Sequence, residues 1–410
     1  MLFSNCDVQC THLIQKRREH SVHREIYVTT FSNKSREDRR LLKKFVDFHW
    51  EHYRDDPQYI PLFDYEYLGM KLLGIHGVFE PDNLFFRHAE IVFFLAQRND
   101  RVAGRCFAFT NSRHNERWKD RVGFFGEFEC IQDREVAHVL ISAVEVWLKE
   151  RDMDTLRGPQ NLTVNEATPG ILTEDFDSRP IVHYHYNKPY YKELLLGEGF
   201  KPVQKVVSFE LQVNNPMAEK MERVAKRAIE RYGITFEPWD ARPYEERQRE
   251  MLEVYNEAWY NNFGFVPFEE EEFFAIVDDM KMIMDKGLSV FAYVKGDLAA
   301  FFGGIPNIAE KMRPIPGLRR CEILRLLKMF ISRGSIKGFR LGYLGVKNKY
   351  RHIGFGGVMV WKQKLYSQKK GYEYCDIGWV LEGNTEAYRM SKFMDSRITR
   401  TYTIFEKPIT

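Results

Sequence analysis

The chain has 410 residues, 44% of them hydrophobic and 29% charged, and its formal net charge is +3. This length suits two or three globular domains, and the charge lacks the clear basic excess of a nucleic-acid-binding protein. No apolar run approaches the roughly 18 residues that cross a bilayer, and residues 1–24 lack the apolar core of a signal peptide. We therefore expect a cytoplasmic protein without a transmembrane segment, with a disordered extension over residues 1–24.

Residues 25–213 alternate strand and helix patterns in the way that is typical of an α/β unit. Ser35 and Asp133 are expected to cap the two long helices, and the first hairpin is expected to turn at residues 98–101. The predicted elements are, in chain order, a strand over 24–30, a helix over 35–56, a hairpin over 89–111, a strand over 121–131, a helix over 134–152, a strand over 155–162, a helix over 187–200 and a last strand over 203–213.

Residues 214–410 repeat this order after a basic amphipathic linker helix over 217–233. The predicted elements are a strand over 234–240, helices over 244–262 and 268–287, a hairpin over 288–307, an extra helix over 323–334, a strand over 339–347, a helix over 355–371, a strand over 372–381, a short helix over 384–394 and a final strand over 397–407. The repeated order predicts a duplicated domain, with one copy over 25–213 and the other over 214–410. The fold class is therefore α/β, with mixed sheets.

Two residue pairs have spacings that suit a metal. Cys6 and Cys10 are four residues apart, but no second Cys or His pair follows at ligand distance, so free thiols in a reducing cytosol are favoured. His183 and His185 would share one face of a strand, where a hydrogen-bonded face is favoured over a metal pair. We expect no metal.

The run "GVKNKYRHIGFGG" over 345–357 joins a predicted strand to a predicted helix. The glycines would leave the N–H groups of the helix N-terminus open to an anion, and the basic side chains would add positive potential. A phosphate site is favoured over a turn that only packs the helix on its sheet. A Walker loop does not fit because Gly357 is followed by Val358, and a dinucleotide fingerprint fails at Met359. Val358, Trp361 and Leu365 are the predicted buried stripe of the helix.

Strand, Arg351-x-x-Gly354-x-Gly356 and helix together resemble the acyl-coenzyme A loop of the GNAT acyltransferase superfamily. Asn384, which opens a short helix with Ala387 three residues later, also matches the family. The resemblance covers residues 240–407 and implies two tandem GNAT-like domains, with the coenzyme site in the second. It implies a pyrophosphate on the backbone of His352, Ile353, Gly354, Phe355, Gly356 and Gly357, flanked by Arg351. It also implies a pantetheine arm held by Gly345, Val346 and Asn384.

The sequence identifies the catalytic groups less clearly than it identifies the coenzyme loop. Many members of the family place a tyrosine seven residues after the asparagine, but Ser391 stands there, so Tyr388 is the candidate proton donor. Asp376, on the strand beside the expected thioester, is the first candidate for the general base, and Glu382 is the second. Each carboxylate has the alternative of being merely solvated or hydrogen-bonded. Transfer by orientation and a water relay stays open as well.

The first copy resembles a GNAT domain that has lost coenzyme binding, because its strand leads into Asp133 with no glycines between. It is expected to shape the acceptor pocket. Aromatic and methionine residues over 261–284 could line a long apolar pocket, although an ordinary core is favoured.

The resemblance implies an N-acyltransferase that moves an acyl group from acetyl-CoA or a longer acyl-CoA to a primary amine, including a long-chain, lipid-like or sphingoid amine. The alternatives are a non-catalytic acyl-CoA-binding regulator and an enzyme that takes its acyl group from acyl carrier protein. The expected partner is a small-molecule amine acceptor, and contact with a membrane surface is compatible with this reading.

Overall fold

The computed structural model describes residues 26–71, 74–162, 169–215 and 218–410. The predicted extension over 1–24, with Cys6 and Cys10, lies outside the described residues. Within them, no helix is both long and apolar enough to cross a membrane.

The elements follow the predicted order closely. The N-terminal half contains β1 (Ile26–Phe31), α1 (Arg36–His52), α2 (Asp64–Leu68), β2 (Ala89–Arg98), β3 (Arg101–Asn111), α3 (Ser112–Trp118), β4 (Val122–Cys130), α4 (Arg134–Lys149), β5 (Thr155–Gly158), β6 (Ile171–Glu174), α5 (Tyr191–Gly197) and β7 (Lys201–Gln212). The C-terminal half contains α6 (Ala218–Tyr232), β8 (Ile234–Pro238), α7 (Tyr244–Ala258), α8 (Glu270–Asp279), β9 (Ser289–Val294), β10 (Asp297–Pro306), α9 (Glu322–Ser332), β11 (Gly338–Val346), α10 (Phe355–Lys370), β12 (Tyr374–Leu381), α11 (Thr385–Phe393) and β13 (Arg397–Pro408).

The described strands form one mixed sheet that runs through both halves, in the order β1-β2-β3-β4-β5-β13-β7-β12-β11-β10-β9-β8, with β6 on β13. The last strand of each half is exchanged. β7 pairs with β12 of the C-terminal half, and β13 pairs with β5 of the N-terminal half. β7 and β13 also pair with each other, so they form the centre of the sheet.

Helices cover both faces of the sheet in each half. In the N-terminal half, α4 packs on one face and α1 on the other. In the C-terminal half, α10 and α7 take the same two positions. Burial of large apolar side chains on both faces supplies the main stabilisation of such a sandwich.

Local sequence signals are confirmed at several element ends. Ser35 caps α1 in a capping box with Asp38, and Asp133 accepts from the N–H groups of Glu135 and Val136 at the start of α4. The turn between β2 and β3 places Asn99 in the left-handed region (φ +51°), as a tight hairpin requires.

Two predictions of local geometry are wrong. The segment around His183 and His185 is irregular, so alternation in a strand does not apply to the pair. In α10, Leu365 is 47% exposed. The helix instead buries Met359, Gln363 and Ser367, because the stripe that these residues form, rather than the stripe of Leu365, packs against neighbouring elements, where Gln363 donates to the carbonyl of Gly287.

Candidate functional site

β11 and β12 run parallel for four residue pairs and then separate. The last pair is Leu341 with Ile377, although the strands continue to Val346 and Leu381. A cleft of about 1000 Å³ opens between them. β11 remains paired with β10 on its other side, and no described strand pairs with its cleft side beyond Leu341. Its backbone groups there can therefore pair with an extended ligand.

The N-terminus of α10 opens into the same cleft. Gly354 caps the helix in the left-handed conformation (φ +78°), which favours glycine, and it brings no side chain over the helix end. The N–H groups of Phe355 and Gly356, at the first two helical positions, have no acceptor within the helix. A Cβ at Gly357 would have no described atom within 4 Å. The positive end of the helix dipole is thus open to an anion.

Fewer of the nearby cations face this opening than the sequence predicts. Lys347 is paired with Glu253 at 2.5 Å, and Lys349 is paired with Asp297. Arg351 lines the cleft, where its guanidinium donates to the carbonyl of Ala258 at 2.9 Å.

A second cation reaches the cleft from the opposite wall. Arg389 on α11 is exposed and lines it. Sequence analysis missed Arg389, because an arginine on a short amphipathic helix usually points only to solvent.

Most of the predicted coenzyme residues line the cleft, namely Val346, Arg351, Gly354, Phe355, Gly356, Gly357 and Asn384. Asn384 caps α11 with its side-chain oxygen, which accepts from the N–H of Ala387 at 3.1 Å. No hydrogen bond from its amide nitrogen to a described residue is formed, so this group can donate to a ligand.

Three predicted coenzyme residues lie beside the cleft rather than on its wall. Gly345 packs so tightly on α7 that a Cβ there would lie 2.7 Å from Val254. The ring of His352 makes an edge-to-face contact with the ring of Tyr232, with centroids 6.2 Å apart. Ile353 packs against the core beneath α10.

None of the three predicted catalytic side chains, those of Asp376, Glu382 and Tyr388, lines the cleft. Asp376 is only 1% exposed and accepts a hydrogen bond from the Tyr184 hydroxyl at 2.6 Å. A guanidinium nitrogen of Arg400 lies 4.0 Å from the carboxylate, and burial raises the pKa of Asp376. Buried in this way, Asp376 can orient its neighbours but does not contact the cleft.

Tyr388 lies on the core side of α11. Its ring packs at right angles on Phe209, with centroids 5.2 Å apart. The α11 residues that line the cleft are Thr385, Glu386, Ala387, Arg389 and Met390. Burial raises the pKa of Tyr388. Ser391, at the position of the family's tyrosine, is buried with its hydroxyl 2.5 Å from that of Ser396.

The inner end of the cleft is closed by a loop from the N-terminal half. The backbone N–H of Val182 donates to Asn307 at 2.9 Å, and its carbonyl accepts from Arg340 at 3.2 Å. Arg340 also contacts the rings of Tyr184 and Trp379, at 4.5 and 4.6 Å. These contacts hold the loop in place on the C-terminal half.

This loop brings His183 to the wall of the cleft. Its backbone is in the left-handed region (φ +60°). Burial, together with the charge of Arg340, lowers the pKa of His183 to about 3. The imidazole is therefore neutral near pH 7. Sequence analysis missed this placement, since the contact joins residues far apart in the chain.

His183 also lines a second, smaller cavity, which we call the side cavity. Its lining includes Gln58, Ile60, Leu62, Tyr184, His185, Met312 and Arg400. His185 lines the same side cavity as His183. Its Nε2 lies 2.8 Å from the amide nitrogen of Asn161.

The walls of the cleft are rich in aromatic side chains from both halves. They are Trp118, Tyr255, Trp259, Phe263, Phe265, Tyr343, Phe355 and Trp379. The aromatic segment around residue 265 thus serves both as pocket and as core, because Phe268 and Phe273 are buried beneath it.

The corresponding opening in the N-terminal half is filled by the chain itself. β4 and β5 separate after Phe124 and Arg157, but Gln160 donates its N–H to Phe125 at 2.7 Å. The side chain of Asn161 accepts from the N–H of Glu127, also at 2.7 Å. These contacts occupy the backbone groups of β4, whereas no described strand pairs with the equivalent groups of β11.

The helix end that follows β4 is occupied as well. The carboxylate of Asp133 accepts hydrogen bonds from two N–H groups of α4 and lies 2.9 Å from a guanidinium nitrogen of Arg98. An anion would meet a carboxylate there instead of open N–H groups.

No family model matches the chain. The chain is similar to the bacterial ceramide synthase of Caulobacter vibrioides (strain NA1000 / CB15N), with 28% identity over 333 residues, 80% of this chain and 86% of that protein. It is also similar to protein YghO of Escherichia coli (strain K12), with 27% identity over 399 residues, 93% of this chain and 95% of that protein. Among solved structures, a tandem GNAT protein from the clavulanic acid biosynthesis pathway matches with a TM-score of 0.54 and 9% identity, over 94% of this chain and 99% of that one.

Proposed function

We propose that this chain, which has the tandem GNAT fold, is an N-acyltransferase that moves an acyl group from coenzyme A to a primary amine in the cleft of its C-terminal half. The observation that carries the proposal is the juxtaposition of an open helix N-terminus at α10 with an unpaired edge of β11 in one cleft. A relative named a ceramide synthase, at 28% identity, supports acyl transfer in general.

Different walls of the cleft bind different parts of the coenzyme. The N–H groups of Phe355 and Gly356 bind the pyrophosphate, and Arg351 and Arg389 add positive charge from two sides. The pantetheine arm lies along β11 beside Val346 and accepts a hydrogen bond from the amide of Asn384. This places the thioester toward the inner end of the cleft, near His183.

His183 is the proposed general base. Its low pKa makes it a weak base, so it holds the proton only transiently and, as a strong acid, can return it to the leaving group. The amine nitrogen attacks the thioester carbonyl, its proton passes to the imidazole, the new C–N bond forms, and the C–S bond breaks to release the thiol. The departing thiolate takes a proton from solvent or from the imidazolium. Asp376 then acts as a positioning residue, because it holds Tyr184, the neighbour of His183. The geometry does not favour Tyr388 as a direct proton donor.

A long-chain amine is the proposed acceptor class. The cleft is at the upper end of the volumes that usually hold drug-sized ligands, and its aromatic walls suit an alkyl chain. The name of the Caulobacter relative, a ceramide synthase, points to a lipid-like or sphingoid amine. Acetyl-CoA and longer acyl-CoA donors are both compatible with the proposed phosphate site.

Two variants test the coenzyme site by calorimetry. Gly357→Glu places a carboxylate in open space at the positive end of α10, where it stabilises the helix but repels a phosphate. We expect at least tenfold weaker coenzyme A binding, while Gly357→Gln, of equal size, binds more tightly than Gly357→Glu. Unchanged affinity in Gly357→Glu would remove the phosphate site. Mass spectrometry with acyl-CoA donors of increasing length and a panel of amines then tests turnover.

One observation favours a second candidate, an acyl-CoA-binding protein without turnover. α11 brings no phenol to the part of the cleft that the structure describes, because Ser391 and Tyr388 face the core. Coenzyme binding without consumption of any acyl-CoA would select this candidate. The acyl-carrier alternative loses support, since Lys347 and Lys349, two of the cations expected to meet an acidic carrier, are already paired.

A further inference from the structure

α9 is the extra helix between β10 and β11, and the proposed chemistry does not use it. Its apolar residues face outward. Ile323, Leu327 and Ile331 are 69%, 53% and 77% exposed, and Leu324 and Phe330 are exposed beside them. These five positions have helical spacing and form one continuous stripe. A helix of a globular protein normally buries such a stripe, and an exposed one marks an interaction surface.

The inward face of α9 is held by an arginine. Arg325 is fully buried and donates to the carbonyls of Pro61 and Met312, at 2.7 and 3.1 Å. Its guanidinium also lies 4.5 Å from the ring centroid of Phe63. Met329 is buried on the same side. The helix is thus anchored with its apolar stripe turned away from the core.

Positive charge surrounds the stripe. Residues 311–337 contain eight lysines and arginines but only one acidic residue, whereas the whole chain has a net charge of +3. Of these, Arg313 and Lys328 are exposed and form no ion pair with a described residue, whereas Arg320 is paired with Asp47 and Arg325 is buried. An apolar stripe with basic neighbours is the pattern of a helix that lies in the interface of a membrane with anionic lipids.

We propose that α9 docks the protein on an anionic lipid bilayer, with the helix in the plane of the interface. The aliphatic side chains enter the acyl boundary, and the surrounding arginines and lysines contact the lipid phosphates. The composition separates this partner from a protein. Protein interfaces concentrate binding energy in tryptophan, tyrosine and arginine pockets, while this stripe is made of isoleucine, leucine and one phenylalanine.

The docking face lies over one wall of the side cavity. The segments that Arg325 holds, around Pro61 and Met312, also supply Ile60, Leu62 and Met312 to its lining. That cavity shares His183 with the cleft. A docked protein therefore has the bilayer next to the segments through which a lipid amine would approach His183. The docking itself does not depend on acyl transfer, because vesicle binding needs no turnover.

Vesicle sedimentation of the full chain tests the proposal. Vesicles of phosphatidylcholine with about one third phosphatidylglycerol are compared with pure phosphatidylcholine, at low and high salt. The apolar variant is Ile323→Ser/Leu327→Ser/Ile331→Ser. Its matched control is Val146→Ser/Val224→Ser, two residues that are 60% and 56% exposed on other helices.

The charge variant is Arg313→Gln/Lys328→Gln, and its control is Lys369→Gln/Lys370→Gln at the end of α10. Because all of these side chains are exposed, circular dichroism should match that of the wild type.

We expect the wild type to bind the anionic vesicles at least tenfold more tightly than neutral ones. The apolar variant should lose at least tenfold in affinity, the charge variant should lose several-fold at low salt only, and both controls should bind like the wild type. The proposal is overturned if the wild type binds no vesicles, or if the apolar variant binds as tightly as its control. It is also overturned if the wild type is a dimer that the apolar variant converts to a monomer, since a second copy would then cover the stripe.

Discussion

Replacement of His183 by glutamine removes the proposed proton acceptor while keeping the size of the side chain. A general base contributes roughly 10²- to 10⁴-fold to a rate, so kcat should fall at least a hundredfold. The KM for acyl-CoA should stay within a few-fold, because the proposed coenzyme residues Arg351, Gly357 and Asn384 lie on other elements. Steady-state kinetics with the acyl donor that turns over most rapidly measures both constants. His185→Gln is the control, since His185 lines only the side cavity.

The same variant changes how stability depends on pH. The pKa of His183 is about 3 in the folded protein, against a usual value near 6.5. Below pH 6.5, His183 becomes protonated in the unfolded chain but stays neutral in the folded chain. This residue therefore lowers the free energy of unfolding as the pH falls. Between pH 6.5 and 5 the loss is about 2 kcal/mol at most, and somewhat less for a half-buried group. His183→Gln should lack this loss in urea unfolding.

Two results would refute this reasoning. If His183→Gln keeps more than half of the wild-type kcat, the imidazole is not the base. If His185→Gln loses as much activity as His183→Gln, the effect reflects the loop as a whole. The charges that surround His183, chiefly Arg340 and then His185, are unchanged in the first variant. A rate that falls steeply below pH 6.5 in the wild type but not in the variant would also contradict a folded pKa near 3.

Three further predictions follow from contacts in the cleft and beneath it. Arg389→Gln should weaken coenzyme A binding about tenfold at low salt and less at high salt, because an exposed cation acts through a screened charge; calorimetry at two salt concentrations measures this. Gly126→Ala should cost at least about 2 kcal/mol in urea unfolding, because a Cβ would lie 2.3 Å from the carbonyl oxygen of Gln160. Asp376→Ala should cost about 3 kcal/mol, since it leaves the buried Arg400 without its carboxylate.

Matched variants make these outcomes decisive. Lys392→Gln, on the same helix but outside the cleft lining, should leave coenzyme binding unchanged. Gly197→Ala has open space around its Cβ and should be neutral, so an equal loss at both glycines would discount the close approach at Gly126. Asp376→Asn keeps an acceptor for the Tyr184 hydroxyl and should destabilise less than alanine does; the reverse order would contradict the role assigned to the carboxyl oxygens.

The sequence was sufficient for features that short segments decide. Ser35 and Asp133 cap helices because their side chains reach N–H groups two or three residues away. The tandem GNAT fold is confirmed, because the structure matches a tandem GNAT protein over nearly its full length. The strand, glycine and helix order around Gly354 likewise predicted an open helix end.

Contacts between distant residues could not be predicted in this way. Lys347 is paired with Glu253, nearly a hundred positions away, so it adds less positive charge to the proposed phosphate site than the sequence predicts. His183 reaches the cleft only because Asn307 and Arg340 hold its loop from the other half. Leu365 is exposed because the packing of α10, rather than its own apolar spacing, decides which side is buried.

The exchange of β7 and β13 ties the two halves of the chain together. The N-terminal half has filled the opening between its own β4 and β5, yet it supplies β7, which borders β12 of the C-terminal half. Loss of the N-terminal half by truncation would remove a central strand from the C-terminal half and expose the ladder of β12 to water. Because each half holds the last strand of the other, neither half can be removed without leaving an unpaired strand edge. The N-terminal half is therefore an obligatory part of the fold of the C-terminal half, whatever it binds itself.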